Sequence, residues 1–155
     1  MTRNILEAVN NARKFFEIEG YPGDFFSRID KVDYTNEYGI LLFKEDIDKL
    51  SGFIGYGAND LTVICINYKR SYGHQNFTLA HELGHWFLHK GISVSDDDCV
   101  LGYSIDKVEQ EANEFAGELL YPEELLIKDY FFARQHNLFE VSNRKKLGEY
   151  IDRLC

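Results

Sequence analysis

The run His81-Glu82-Leu83-Gly84-His85 sets two imidazoles four residues apart with a carboxylate between them. On an α-helix, residues four apart differ by about 40° in direction, so both rings can reach one ion from successive turns. Glu82 lies about 60° from His85 on the same wheel. It can touch a water on that ion but is poorly aimed to join the pair as a ligand. Two neutral imidazoles with a free carboxylate beside them make a zinc site with a general base, the chemistry of an HExxH hydrolase. The surrounding residues Phe77, Leu79, Ala80, Leu83, Trp86, Phe87 and Leu88 are apolar. Two histidines and a glutamate are costly to bury in such a helix without a partner, and a metal is one.

A catalytic zinc takes three protein ligands and keeps a position for water. The spacing HExxHxxGxxH would need a third histidine at position 91, which is Gly91. A carboxylate from another helix is the remaining source, and Glu109 and Glu111 are the candidates. Ile105, Val108, Ala112, Phe115, Ala116 and Leu119 form one apolar stripe of a helix. Glu109 flanks that stripe among small residues, Ala112, Asn113, Ala116 and Gly117, where a second helix can come close. Glu111 falls beside Glu114 and Glu118, on a flank that reads as solvated. Glu109 is therefore the preferred third ligand and Glu111 the alternative. Asn113, four residues beyond Glu109, would lie beside it and could hold a ligating histidine through its second nitrogen. A two-histidine, one-glutamate set favours zinc and leaves manganese open.

The elements that must carry these residues are legible in outline. Ile5, Leu6, Val9, Ala12 and Phe16 fall near helical spacing, which predicts an N-terminal helix over about 2–18. Short β-branched and aromatic runs at Ile40–Phe43, Phe53–Tyr56 and Leu61–Ile66 predict a small, mainly antiparallel sheet over about 38–67. Gly57-Ala58-Asn59-Asp60 reads as the turn of a hairpin. A helical part over about 75–155 follows, with a central buried helix bearing the HExxH motif. Pro122 stands where a helix starts after Tyr121, and Val141-Ser142 precede a last one. Helix, strands, then helices make an α+β class, here a single domain over 1–155 with the sheet packed on a helical core.

Composition narrows the partners. The 155 residues carry 17 Lys+Arg against 26 Asp+Glu, a net charge of −9 that argues against direct nucleic-acid binding. No apolar run approaches the roughly 20 residues of a membrane span, and the first sixteen residues lack a secretory h-region. Cys65, Cys99 and Cys155 are odd in number and widely spaced, as expected of free thiols in a reducing, cytoplasmic setting.

The blocks Phe77–His89 and Glu109–Pro122, read together, resemble the ImmA/IrrE family of metallopeptidases, with a looser resemblance over Tyr38–Leu147. The resemblance implies a small thermolysin-like zincin core. It implies a metal held by the two motif histidines and a glutamate of the next helix, followed four residues later by a residue that orients a histidine. Glu109 and Asn113 match that spacing. The resemblance also implies cleavage of a helix-turn-helix repressor of a mobile element or stress regulon. One departure is Tyr121, where the family often has Met before the proline.

The expected reaction is zinc-dependent peptide hydrolysis, with Glu82 moving the proton from water to the leaving amine. Tyr103 and His89 are the candidates for a supporting role. His89 continues the 81–85 spacing by one turn and could orient a neighbour, or only close the helix at its negative pole. Tyr103 stands at the end of the 91–102 loop, whose Asp96-Asp97-Asp98 lacks the alternation of a calcium loop. His74 and His136 read as surface residues. Two other functions stay open on these residues: a zinc-stabilised adaptor that displaces a repressor without cutting it, and a toxin-linked component of a two-gene module.

Overall fold

The computed structural model describes residues 1–30, 39–91 and 105–154. The chain opens with helix α1 (Arg3–Phe15), which buries Ile5, Ala8, Val9 and Ala12 on one face. Its end is closed by two backbone bonds, from the Ile18 N–H to the Arg13 carbonyl and from the Glu17 N–H to the Lys14 carbonyl. Glu17 takes the left-handed conformation that this closure needs (φ 52°). A short helix α2 (Phe25–Asp30) follows, capped by the Asp24 carboxylate, which accepts from the Ser27 N–H and hydroxyl.

Three strands come next: β1 (Ile40–Glu45), β2 (Gly52–Tyr56) and β3 (Thr62–Asn67), in the order β1-β3-β2. β2 and β3 form the expected hairpin, antiparallel, with Asn59 and Asp60 both at positive φ as a two-residue turn demands. β1 pairs with β3 in parallel, so the sheet is mixed rather than mainly antiparallel. Alternating apolar residues identify strands but do not state their order. The deciding feature is Asn67, fully buried at the end of β3. Its side-chain amide donates to the carbonyls of Asp48 and Leu50, and its backbone N–H to that of Ser51. These bonds hold the β1–β2 connection across the end of β3. β3 therefore enters between its two predecessors.

The helical part holds α3 (Tyr72–His89), α4 (Ile105–Leu120), α5 (Glu123–Gln135) and α6 (Arg144–Leu154). The class is α+β, as the element order implies. One core joins α1, the sheet and α3–α4 through Phe16, Phe25, Ile64, Ile66, Leu79, Leu83, Phe115 and Leu119. Two glycines set distances within it. A Cβ on Gly84 would lie 3.2 Å from the Ala112 Cα and 3.1 Å from the Phe115 ring. Bare backbone there lets α3 and α4 approach closely. A Cβ on Gly52 would fall 2.5 Å from the Thr78 methyl, so the first residue of β2 also rests directly on α3. No helix among the described residues is long and apolar enough to cross a membrane.

Candidate metal centre

α3 presents His81 and His85 on successive turns, with their Nε2 atoms 3.0 Å apart. α4 brings Glu109 against both. One of its carboxylate oxygens lies 3.2 Å from His81 Nε2, the other 3.4 Å from His85 Nε2. Among the described residues these three form a group able to hold a metal ion. The spacing can be tested against the ion. Ligand atoms about 2.0–2.1 Å from a tetrahedral zinc lie about 3.3–3.4 Å from one another. The observed 3.0–3.4 Å separations are close to the edges of that tetrahedron. The residues present fit the ion.

The flanking bonds leave Nε2 of both rings facing the same point. His81 Nδ1 lies 2.9 Å from Asn113 Oδ1, so the expected neighbour of Glu109 does sit behind a candidate ligand. His85 Nδ1 lies 3.1 Å from His89 Nδ1. Burial pushes the His85 pKa down, with His81 beside it as the next cause, which keeps the ring neutral and available as a donor.

Glu82 is 7 % exposed and shares a cleft of about 630 Å³ with His81, His85 and Glu109. Burial, and after it the charge of Glu109, pushes its carboxyl up to about 7. A bound cation would oppose that shift. The opposite wall of the cleft is β2, which is an edge strand among the described residues. Phe53, Tyr56 and Phe77 offer apolar surface at the cleft and are all partly exposed.

The structure corrects one expectation on α4. Glu111 is not on a solvated flank: its side chain is only 20 % exposed, and its carboxylate lies 3.1 Å from His89 Nε2. The two glutamates border opposite sides of the apolar stripe. Because α3 packs on that stripe, Glu109 meets its His81–His85 turn and Glu111 its last turn. A single helical wheel cannot show this. Glu111 is thus placed beside His89, away from the His81–His85–Glu109 group.

His74 is exposed, as the sequence reading has it, but its place at the cleft was not foreseen. It lines the cleft, with its Nε2 2.9 Å from the Ser51 hydroxyl. The signal was present, since residues seven apart differ by only about 20° and His74 therefore shares the His81 face. His136 accepts no such role; its Nδ1 lies 2.9 Å from the Phe132 carbonyl of its own helix. Tyr103, Asp96–Asp98, Cys99 and Cys155 lie outside the described residues, while Cys65 is a buried free thiol.

Comparison with known proteins decides the family. Residues 35–147 match the peptidase family described as the IrrE N-terminal-like domain. The chain belongs to this family. It is 35% identical over 88 residues to Metallopeptidase ImmA of Bacillus subtilis (strain 168), covering 56% of this chain and 51% of that protein. It is 35% identical over 75 residues to Uncharacterized immunity region protein 2 of Bacillus phage phi105, covering 48% of this chain and 47% of that protein. The chain spans about half the length of the curated relatives it matches. Membership in a metallopeptidase family implies a metal ion, and the His-His-Glu group is where this fold member can hold one.

Proposed function

We propose that the chain is a zinc-dependent endopeptidase, with His81, His85 and Glu109 as ligands and Glu82 as the proton-transfer group. The observation that carries this reading is the near-tetrahedral spacing of the three donors with a buried carboxylate in the same cleft. The chemistry such an ion supplies when bound is Lewis acidity, which polarises a carbonyl and makes water a nucleophile near neutral pH. Glu82 then accepts a proton from the attacking water on a carboxylate oxygen and returns it to the departing amine. Asn113 holds His81 in orientation through Nδ1. The exposed edge of β2 pairs with the extended substrate backbone, and Phe53, Tyr56 and Phe77 contact its side chains.

The substrate in this reading is a helix-turn-helix repressor in a cytoplasmic immunity or stress circuit. The name of the phage relative, an immunity region protein, supports such a setting. A purely binding adaptor would have no use for a buried carboxylate beside the donors, so Glu82 favours the enzyme. The test is intact-mass analysis of each helix-turn-helix protein encoded near the gene after incubation with zinc-loaded protein, using Glu82→Gln as control. A discrete cut by wild type alone is expected. A stable complex with both forms and no cut would replace the peptidase with the adaptor.

A further inference from the structure

Two side chains beyond the ligand group have no role in the reaction as drawn, yet they are bonded to it. His89 is 6 % exposed at the last turn of α3. Its Nδ1 is 3.1 Å from His85 Nδ1, and its Nε2 is 3.1 Å from the Glu111 carboxylate. We propose that His89 and Glu111 form a positioning relay that locks His85 as a metal ligand, so that the two histidines are held by different devices. The inference rests on the metal reading given above.

Proton placement follows from the geometry. A ligand bond at His85 Nε2 leaves its ring proton on Nδ1, so His85 donates to His89 Nδ1. His89 Nδ1 must then be the bare acceptor, and its proton sits on Nε2. That proton is donated to Glu111. Every ring nitrogen of the chain then has one partner, and the chain ends on a carboxylate, where a charge-assisted bond is strongest. Among the described residues His81 has the neutral Asn113 amide behind it instead. Burial sharpens the contrast, because the His89 side chain is 5 % exposed and water cannot easily replace its bonds. A relay of this kind fixes ring orientation and raises the basicity of the ligand nitrogen. It also gives Glu111 a reason to be turned inward rather than left in solvent with its neighbours.

The test reads metal binding and protonation, not turnover. Zinc affinity is measured by competition with a chromogenic chelator for wild type, Glu111→Gln, Glu111→Ala and His85→Ala, with folding followed by circular dichroism. Partners of this type typically change metal affinity by about 10–100-fold. Glu111→Gln keeps an acceptor and should weaken zinc toward the lower end; Glu111→Ala should weaken it toward the upper end. The variant-free measurement is long-range nitrogen–proton NMR of the zinc-loaded wild type. It should show His89 protonated on Nε2 and bare on Nδ1. Wild-type zinc affinity in both folded Glu111 variants, or His89 protonated on Nδ1, would overturn the relay while leaving the ligand set intact. Undiminished binding by His85→Ala would instead overturn the metal reading itself, and the relay with it.

Discussion

The pair α3–α4 and the pair α5–α6 are built on opposite plans. α3 and α4 meet closely through Gly84, Ala112 and Phe115, with Phe87 stacked on Phe115, and the polar contacts that join them, His81 to Asn113 and His89 to Glu111, flank the candidate site. α5 and α6 are joined by a polar hub. The Asp129 carboxylate accepts from the Tyr150 hydroxyl at 2.7 Å, from the Tyr121 hydroxyl at 2.9 Å and from that of Tyr21. Phe132 stacks on Tyr150 nearby. Around this hub Leu126, Tyr130, Phe139 and Ile151 remain about half exposed. Donor atoms that must stay within a few tenths of an ångström of one geometry need a close-packed support, because packed cores resist small displacements. The C-terminal pair carries no candidate ligand and is packed more loosely.

If that division is right, the largest effects come from the α3–α4 side. Glu82→Gln should keep zinc bound and lower peptidase turnover by about 10²–10⁴-fold, the usual span for proton-transfer groups. Zinc stoichiometry and cleavage rate, measured on the same sample, check it. Phe115→Ala, at a fully buried position, should cost about 3–5 kcal/mol of stability in denaturant titration. Gly84→Val should cost about 1–3 kcal/mol through overpacking and should also weaken zinc, since it separates Glu109 from the histidines. A Gly84→Val protein with normal stability and zinc affinity would break the contrast.

The smallest effect belongs to the other pair. Tyr150→Phe removes one bond to Asp129 and should cost about 1 kcal/mol. Amide exchange should quicken in residues 123–154 and stay unchanged in α3, as expected of separate cooperative units. Faster exchange at His81–His85 would show that the two pairs are one mechanical body.

How far each region was legible in the sequence follows from the same contrast. The helix pair could be read because its signals are local: HExxH spacing on α3, and small residues beside Glu109 on α4. The sheet could be read only as far as its strands and its hairpin. Strand order depends on Asn67 tying a loop from a distant segment, and periodicity holds no record of that. Glu111 was misjudged for a related reason. Its partner His89 belongs to another helix, and only the crossing of α3 over α4 brings them within 3.1 Å. His74 is the surface residue the sequence suggests; its place at the cleft was not foreseen, because its hydrogen bond to Ser51 joins segments 23 residues apart.

The central claim is that one ion sits between three named side chains. Anomalous diffraction across the zinc edge, on crystals grown with zinc, tests it without relying on activity or a substrate. The account predicts a single strong peak about 2.0–2.2 Å from His81 Nε2, His85 Nε2 and a Glu109 oxygen, with His89 and Glu111 outside bonding distance. A peak ligated by His89 or Glu111, or no peak at the His81–His85 turn, would contradict it.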